Sequence, residues 1–161
     1  MNRFRIDRLV KQNRSDFDCG NEPLNEYLRR HAGQDQRRRC AVCFLAIENA
    51  TDRIAGYYTL ASGSVDLDRL PADVAKRLPR YPATPVIKIG RLAVAMTFQG
   101  TGLARALLAD AYKRVLELDV GAFALAVDAI DDDAEAFYQH HGFLKLQSRT
   151  IGERLLLLPI V

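Results

Sequence analysis

No apolar run in this sequence approaches the about 18 residues of a membrane-spanning helix. The opening Met-Asn-Arg-Phe-Arg-Ile-Asp-Arg is charged throughout, unlike a secretory leader. Both absences point to a cytoplasmic protein with no membrane partner. Cysteine is scarce and odd in number, so Cys19, Cys40 and Cys43 cannot all pair. The C-x-x-C spacing of Cys40 and Cys43 invites a redox or zinc reading. Against it, Cys40-Ala-Val-Cys43-Phe-Leu-Ala-Ile reads as a strand, in which side chains three apart point to opposite faces. Reduced, buried or half-buried thiols and no metal are expected. Internal repeats are absent too, and net charge is only +3. A length of 161 residues, with 48% hydrophobic and 27% charged residues, fits one globular domain over 1–161 that buries roughly two-thirds of its unfolded surface.

What is present centres on Val86–Leu118. An apolar, β-branched run from Val86 to Val94 passes through Gln99-Gly100-Thr101-Gly102 into apolar residues at Leu103, Leu107, Ala111, Val115 and Leu118. That order is strand, glycine turn, helix. Glycines at a helix mouth let backbone approach a ligand, and the unpaired N–H groups of the first turn favour an anion such as phosphate or pyrophosphate. The turn is neither a P-loop, since no Gly-Lys-Ser/Thr follows, nor a dinucleotide fingerprint, since the third glycine is missing. A turn that needs glycine only for its geometry is the alternative.

Charge is uneven along the chain. Arg29, Arg30, Arg37, Arg38 and Arg39 fall within eleven residues containing one acid, Asp35. Such a cluster either tracks a phosphate backbone or forms a solvated helical face.

Elsewhere, Arg3–Ile6 suggests an edge strand. Asn21 and Pro23 suit the cap and first turn of a helix with an apolar stripe at Leu24, Tyr27, Leu28 and His31, with room for a further turn or two through Gln34–Arg39. Strands Cys40–Ile47 and Ile54–Ser62 form a hairpin. Ser64–Pro85, punctuated by Pro71, Pro79, Pro82 and Pro85, reads as an insertion with at most one short helix, either a wall of the substrate site or a surface excursion. Phe123–Val127 is a strand buried on both faces. Asp131–Asp133 caps a helix over Ala134–His141 that Gly142 ends. Phe143–Leu146 and Glu153–Val161 are closing strands, the last placed at an edge or fraying because of Pro159.

Gln99, Gly102 and Ala104 meet the Q/R-x-x-G-x-G/A pattern of motif A in the GNAT superfamily of N-acetyltransferases. Ala134, Phe137, Tyr138, Gly142 and Phe143 resemble its A-x-x-F-Y-x-x-x-G-F helix. The resemblance extends over nearly the whole chain. It implies an α/β (α+β) fold, a central mixed twisted sheet of about six to seven strands flanked by about four helices and splayed beside Phe123–Val127. It also implies acetyl-CoA as co-substrate. Gln99, Gly100, Thr101, Gly102, Leu103, Ala104 and Arg105 would hold its pyrophosphate and Leu92, Ala93 and Val94 its pantetheine arm, with Asp131 and Phe137 nearby.

A narrower resemblance runs through Phe17–Leu28, Gly56–Val65, Leu78–Pro82 and Gly90–Val94. These stretches look like the toxin acetyltransferases of type II toxin–antitoxin modules, the TacT/AtaT-like group. That similarity implies acetylation of the amino acid on charged tRNA, arrest of translation, a ribbon-helix-helix antitoxin and a homodimer. Arg29, Arg30, Arg37, Arg38 and Arg39 would contact the tRNA. The group often has Asp where this chain has Ala95 and Gly where it has Ala104, and Asp128 stands where a histidine is expected.

Acetyl transfer needs a neutral amine, a donor to the developing oxyanion and an acid for the departing thiolate. Backbone N–H groups at Leu92–Val94 suit the second task. Tyr138 suits the third, since a phenol near pKa 10 stays protonated where a thiol near 8.5 does not; otherwise it is a core aromatic. No base is obvious, and an α-amine with a pKa near 8 needs none beyond water. His140 and His141 fit helix-end capping. Three functions are compatible with these residues: a toxin acting on aminoacyl-tRNA, an acetyltransferase for a small amine or protein N-terminus, and a non-catalytic acyl-CoA-binding partner protein.

Overall fold

The computed structural model describes residues 2–160. In chain order the elements are β1 (Phe4–Arg8), α1 (Glu22–Glu26), a π-helical turn (Tyr27–His31), α2 (Ala32–Arg37), β2 (Val42–Glu48), β3 (Ile54–Asp66), α3 (Ala72–Ala75), β4 (Ala83–Val94), α4 (Leu103–Leu116), β5 (Ala124–Asp128), α5 (Asp132–His140), β6 (Leu144–Lys145) and β7 (Leu155–Pro159). Because α1, the π turn and α2 follow one another without a break, they act as one helical stretch and leave four helical bodies.

Seven strands are hydrogen-bonded in the order β1-β2-β3-β4-β5-β7-β6. The sheet is mixed, with β4 and β5 parallel while β1–β2, β2–β3, β5–β7 and β6–β7 run antiparallel. Fold class and strand number match the expectation. Among the described residues, no helix is long and apolar enough to cross a membrane.

Two compact units emerge: residues up to Ala61 with Gly90–Arg114, and Ser62–Ile89 with Val115 onward. In the first, β2 and β3 form the expected hairpin. Its register places Phe44 opposite Tyr58 and Leu45 opposite Tyr57, all four side chains buried. Helix α4 packs through Leu103, Leu107, Leu108 and Ala111. Leu118, expected on that stripe, is 44% exposed, because the helix ends at Leu116 and the 3.6-residue period no longer holds beyond it.

A polar cluster accompanies this helix. The Tyr58 hydroxyl donates to Asp110 at 2.5 Å, and Arg114 Nε donates to the same oxygen at 2.8 Å. The Arg114 guanidinium lies 4.1 Å from the Phe44 ring centroid. Asp110→Ala would leave a buried hydroxyl without its acceptor, so a loss of about 1–3 kcal/mol is expected, read from the urea midpoint. Adding Tyr58→Phe should return part of it.

The stretch from Glu22 to Arg37 departs from the predicted stripe. Asn21 caps it by accepting from Leu24 N–H at 3.1 Å, and Pro23 sits in its first turn, as expected. The π turn over Tyr27–His31 then widens the helix by one residue per turn. The buried set becomes Asn25, Tyr27, Leu28 and Ala32, and His31 turns to solvent.

In the second unit, Val65, Leu70, Val74, Val86, Phe123, Ala124, Ala126, Leu146, Leu155 and Leu157 form one apolar cluster. All of Phe123–Val127 is buried, as predicted. The segment Ser64–Pro85 is more regular than its prolines suggested. β3 continues to Asp66 and β4 begins at Ala83, because Thr84 Oγ1 donates to the Val65 carbonyl at 2.6 Å and Leu67 N–H donates to Pro82 at 2.9 Å. Arg69 reinforces the bend by pairing with Glu153 and donating to the Gln147 carbonyl at 3.0 Å.

The placement of β7 also differs from expectation. It lies between β5 and β6, inside the sheet. Pro159 is tolerated because Ile160 N–H donates to Phe123 at 2.7 Å, which turns the proline nitrogen to the other side, where β6 pairs only with Leu156 and Leu157. The predicted end of this strand, Val161, lies outside the described residues.

Candidate active site

The glycine turn has the geometry its residue types demand. Gly100 and Gly102 take φ of 79° and 82°, a left-handed conformation that disfavours any residue with a Cβ. A Cβ built on either would meet nothing within 4 Å, so the turn faces open space. The bond from Ala106 N–H to Gly102 C=O, at 3.1 Å, opens helix α4. The N–H groups of Leu103, Ala104 and Arg105 therefore have no intrahelical acceptor, and the positive end of a 14-residue helix lies behind them. Leu103 anchors the helix in the core while Gly100, Thr101, Gly102 and Arg105 are exposed. This arrangement fits a pyrophosphate.

Gln99 and Thr101 brace the turn rather than project from it. The Gln99 amide donates to the Val94 carbonyl at 3.0 Å and to the Cys19 carbonyl at 3.2 Å, and Thr101 Oγ1 donates to Phe98 at 2.6 Å. Leu92, Ala93 and Val94 lie at the end of β4 directly before it. The ladder between β4 and β5 runs from Val86 to Ile89, and Gly90–Val94 continue the strand in the first unit.

Sequence reasoning did not single out the residues that hold Cys19 in place. Asn25, 1% exposed, accepts from Cys19 N–H at 2.8 Å and donates to Asp18 at 3.0 Å. Asp18 accepts from Gly20 N–H at 2.9 Å, and its carbonyl accepts from Met96 N–H at 2.8 Å. The Gly20 N–H, with Asn25 beside it, holds the Asp18 carboxyl below its usual range. The Phe17–Asn25 stretch is thus a bracket for the glycine turn. No local pattern marks Asn25, since asparagine is usually exposed and its neighbours are Leu24 and Glu26.

In the second unit, Asp131 caps α5 by accepting from Ala134 N–H at 2.8 Å, and Gly142 follows the helix at φ 95°. Tyr138 is 5% exposed. Its ring stands edge-on to Phe137 and Phe143, both at 5.2 Å between centroids. Burial alone pushes its phenol up from the ordinary value, so it remains a proton donor throughout the neutral range. Phe137 also packs on His141 at 4.7 Å. Asp128, at the end of β5, pairs with Lys88 at 2.5 Å. Ala95 is buried, and its N–H donates to Ala55 at 2.8 Å.

The arginines divide. Arg29 turns inward, donating to the Phe17 carbonyl and pairing with Glu22 at 3.4 Å. Arg30 is 72% exposed beside Glu26. Arg37, Arg38 and Arg39 are exposed where α2 ends, Arg39 at φ 61°. Arg91 stacks on the Tyr27 ring at 3.6 Å, and Tyr27 donates to Asp35 at 2.8 Å.

All three cysteines are free. Cys43 is buried, and burial pushes its thiol up to about 12, which makes it inert; Cys40, expected to be buried or half-buried, is exposed because the strand begins only at Val42. Among the described residues, no group of three or more His, Cys, Asp or Glu is placed to hold a metal.

Comparison with known proteins gives one consistent answer. The chain is 37% identical over 129 residues, 79% of its length and 75% of the relative's, to a tRNA-acetylating toxin of Mycobacterium tuberculosis. It superposes with a TM-score of 0.88 on AtaT complexed with acetyl-methionyl-tRNAfMet, at 31% identity, covering 97% of this chain and 94% of that one. A second match is a tyrosine-to-phenylalanine mutant of AtaT bound to acetyl-CoA and the C-terminus of the antitoxin AtaR. There the TM-score is 0.81 and the identity 27%, over 98% of this chain and 94% of the other. The acetyltransferase (GNAT) model itself matches residues 6–143, so that the strand, the glycine turn and the Tyr138 helix all fall within it, and the chain belongs to the acetyltransferase (GNAT) family.

Proposed function

We propose that this protein is a toxin that transfers the acetyl group of acetyl-CoA to the α-amine of the amino acid on charged tRNA, blocking translation. The observation that carries this reading is the 37% identity to a tRNA-acetylating toxin over most of the chain. It is supported by the open glycine turn and the buried Tyr138 phenol described above.

Each residue then has a task. The free N–H groups at Leu103–Arg105 and the exposed Arg105 receive the pyrophosphate, aided by the helix dipole. Backbone groups of Leu92–Val94 align the pantetheine arm, and an N–H there polarises the acetyl carbonyl. When bound, acetyl-CoA supplies the thioester. Tyr138 gives its phenolic proton to the departing sulfur, the bond to which breaks as the amine forms its bond to the acetyl carbon. Phe137 fixes the Tyr138 ring, and Asp131 fixes the start of the helix that carries both. The acceptor amine, with a pKa near 8 or below, loses its proton to water.

The same reading makes the protein a single cytoplasmic domain with an antitoxin partner. It also makes it a homodimer, for which exposed Leu116, Leu118 and Val120 offer an apolar edge.

Arg30, Arg37, Arg38 and Arg39 are the candidate tRNA contacts. Arg29 serves the Phe17 loop and is left intact in the test. Neutralising the other four together should weaken tRNA binding and flatten its dependence on salt, since each lost phosphate contact lowers the number of released counterions. Acetyl-CoA affinity should not change. Unaltered tRNA binding in that variant would remove the arginines from the acceptor site.

A further inference from the structure

Two arginines meet over Gly33. A Cβ built on that glycine would lie 3.3 Å from Arg37 Nη1, 3.4 Å from Arg14 Nη1 and 3.6 Å from Arg14 Nη2. The two guanidinium groups therefore border the same space over the glycine. Arg14 Nη1 is buried with no hydrogen-bond partner. Among the described residues neither Arg14 nor Arg37 forms an ion pair, whereas Glu22 pairs with Arg29, Glu26 with Arg30, and Asp35 accepts from the Tyr27 hydroxyl. Gln36 is committed as well, to the Leu9 carbonyl and Cys43 N–H. Two like charges side by side, one with an orphaned donor, are unfavourable without an anion. Glycine within a helix is unfavourable too, and here it keeps the space open.

We propose that Arg14 and Arg37 form a two-arginine cradle over Gly33 that takes one backbone phosphate of the acceptor tRNA. The inference rests on the tRNA reading above and adds Arg14 and Gly33 to it. Forked guanidinium donors match phosphate oxygens, and Arg37, exposed at the end of α2, can re-aim its fork onto the phosphate.

The test uses the full chain and labelled deacylated tRNA in phosphate-free buffer, titrated at several salt concentrations. Arg14→Gln should weaken binding by roughly fivefold to tenfold and lower the salt slope by about 1. Its melting temperature should hold or rise, because an uncompensated charge is gone, and its acetyl-CoA affinity should be unchanged. Gly33→Ala should weaken tRNA binding in the same direction without loss of melting temperature, since alanine favours the helix while its methyl group crowds both guanidinium groups. Wild-type affinity and slope in Arg14→Gln would overturn the cradle while leaving the tRNA reading intact. Absence of salt-dependent binding by the unmodified protein would overturn both. Inorganic phosphate is titrated separately against melting temperature. If it stabilises the wild type and not Arg14→Gln while tRNA binding is the same for both, the site takes free phosphate and the proposal fails.

Discussion

Tyr138→Phe is expected to reduce acetyl transfer by roughly 10²–10⁴, the usual contribution of a general acid, while acetyl-CoA binding and folding survive. The substitution removes one oxygen and leaves the ring in its contacts with Phe137 and Phe143. Burial is the sole influence on the phenol, so no hydrogen-bond network collapses with it. Thiol release followed with a chromogenic disulfide checks the prediction. Wild-type turnover in the variant would leave Tyr138 as a packing residue only.

Gly102→Asp is expected to abolish acetyl-CoA binding, weakening it by roughly two orders of magnitude or more through the added carboxylate at an anion site. Two effects combine. At φ 82° a side chain costs about 1–2 kcal/mol, so the turn tends to shift. The carboxylate also stands where the pyrophosphate would bring its own charge. Because a Cβ here meets nothing within 4 Å, the rest of the fold should tolerate the change. Gly102→Ala separates the two effects: it carries the backbone strain without the charge and should bind acetyl-CoA at an intermediate level. Calorimetry showing normal binding by the aspartate variant would remove the turn from the cofactor site.

The local backbone of these two stretches was legible in the sequence for different reasons. The glycine turn is a local feature: β-branched strand, two glycines and an apolar helical period lie within 33 residues, and each dictates its own backbone. Tyr138 needed its neighbours Asp131, Phe137 and Gly142, which set the two ends and the anchor of a nine-residue helix. Features fixed by tertiary contacts were not legible. The widened turn at Tyr27–His31 moved His31 to solvent because packing of Tyr27 and Leu28, not sequence period, decides which side faces inward. Four prolines in Pro71–Pro85 suggested an irregular segment, yet a buried threonine and an apolar cluster drew both ends into strands. Pro159 suggested an edge, but β6 is too short to need its missing N–H. The bracket around Gln99 depends on Asn25 and Asp18, 74 and 81 residues earlier in the chain, a separation that local patterns do not report.

The arginine cluster shows the same division. Its composition marked a basic stretch, but only the fold separates Arg29, committed to the Phe17 carbonyl, from Arg30, Arg37, Arg38 and Arg39. Arg14, 23 residues away from Arg37 in sequence, joins that surface only through the fold.

Incubation of the purified protein with acetyl-labelled acetyl-CoA and total charged tRNA tests the central claim most directly. The label should enter the aminoacyl fraction, be released with the amino acid when the ester is hydrolysed, and stay absent when deacylated tRNA or Tyr138→Phe is used. Label that appears only on small amines or on protein, with none on the aminoacyl ester, would contradict the account.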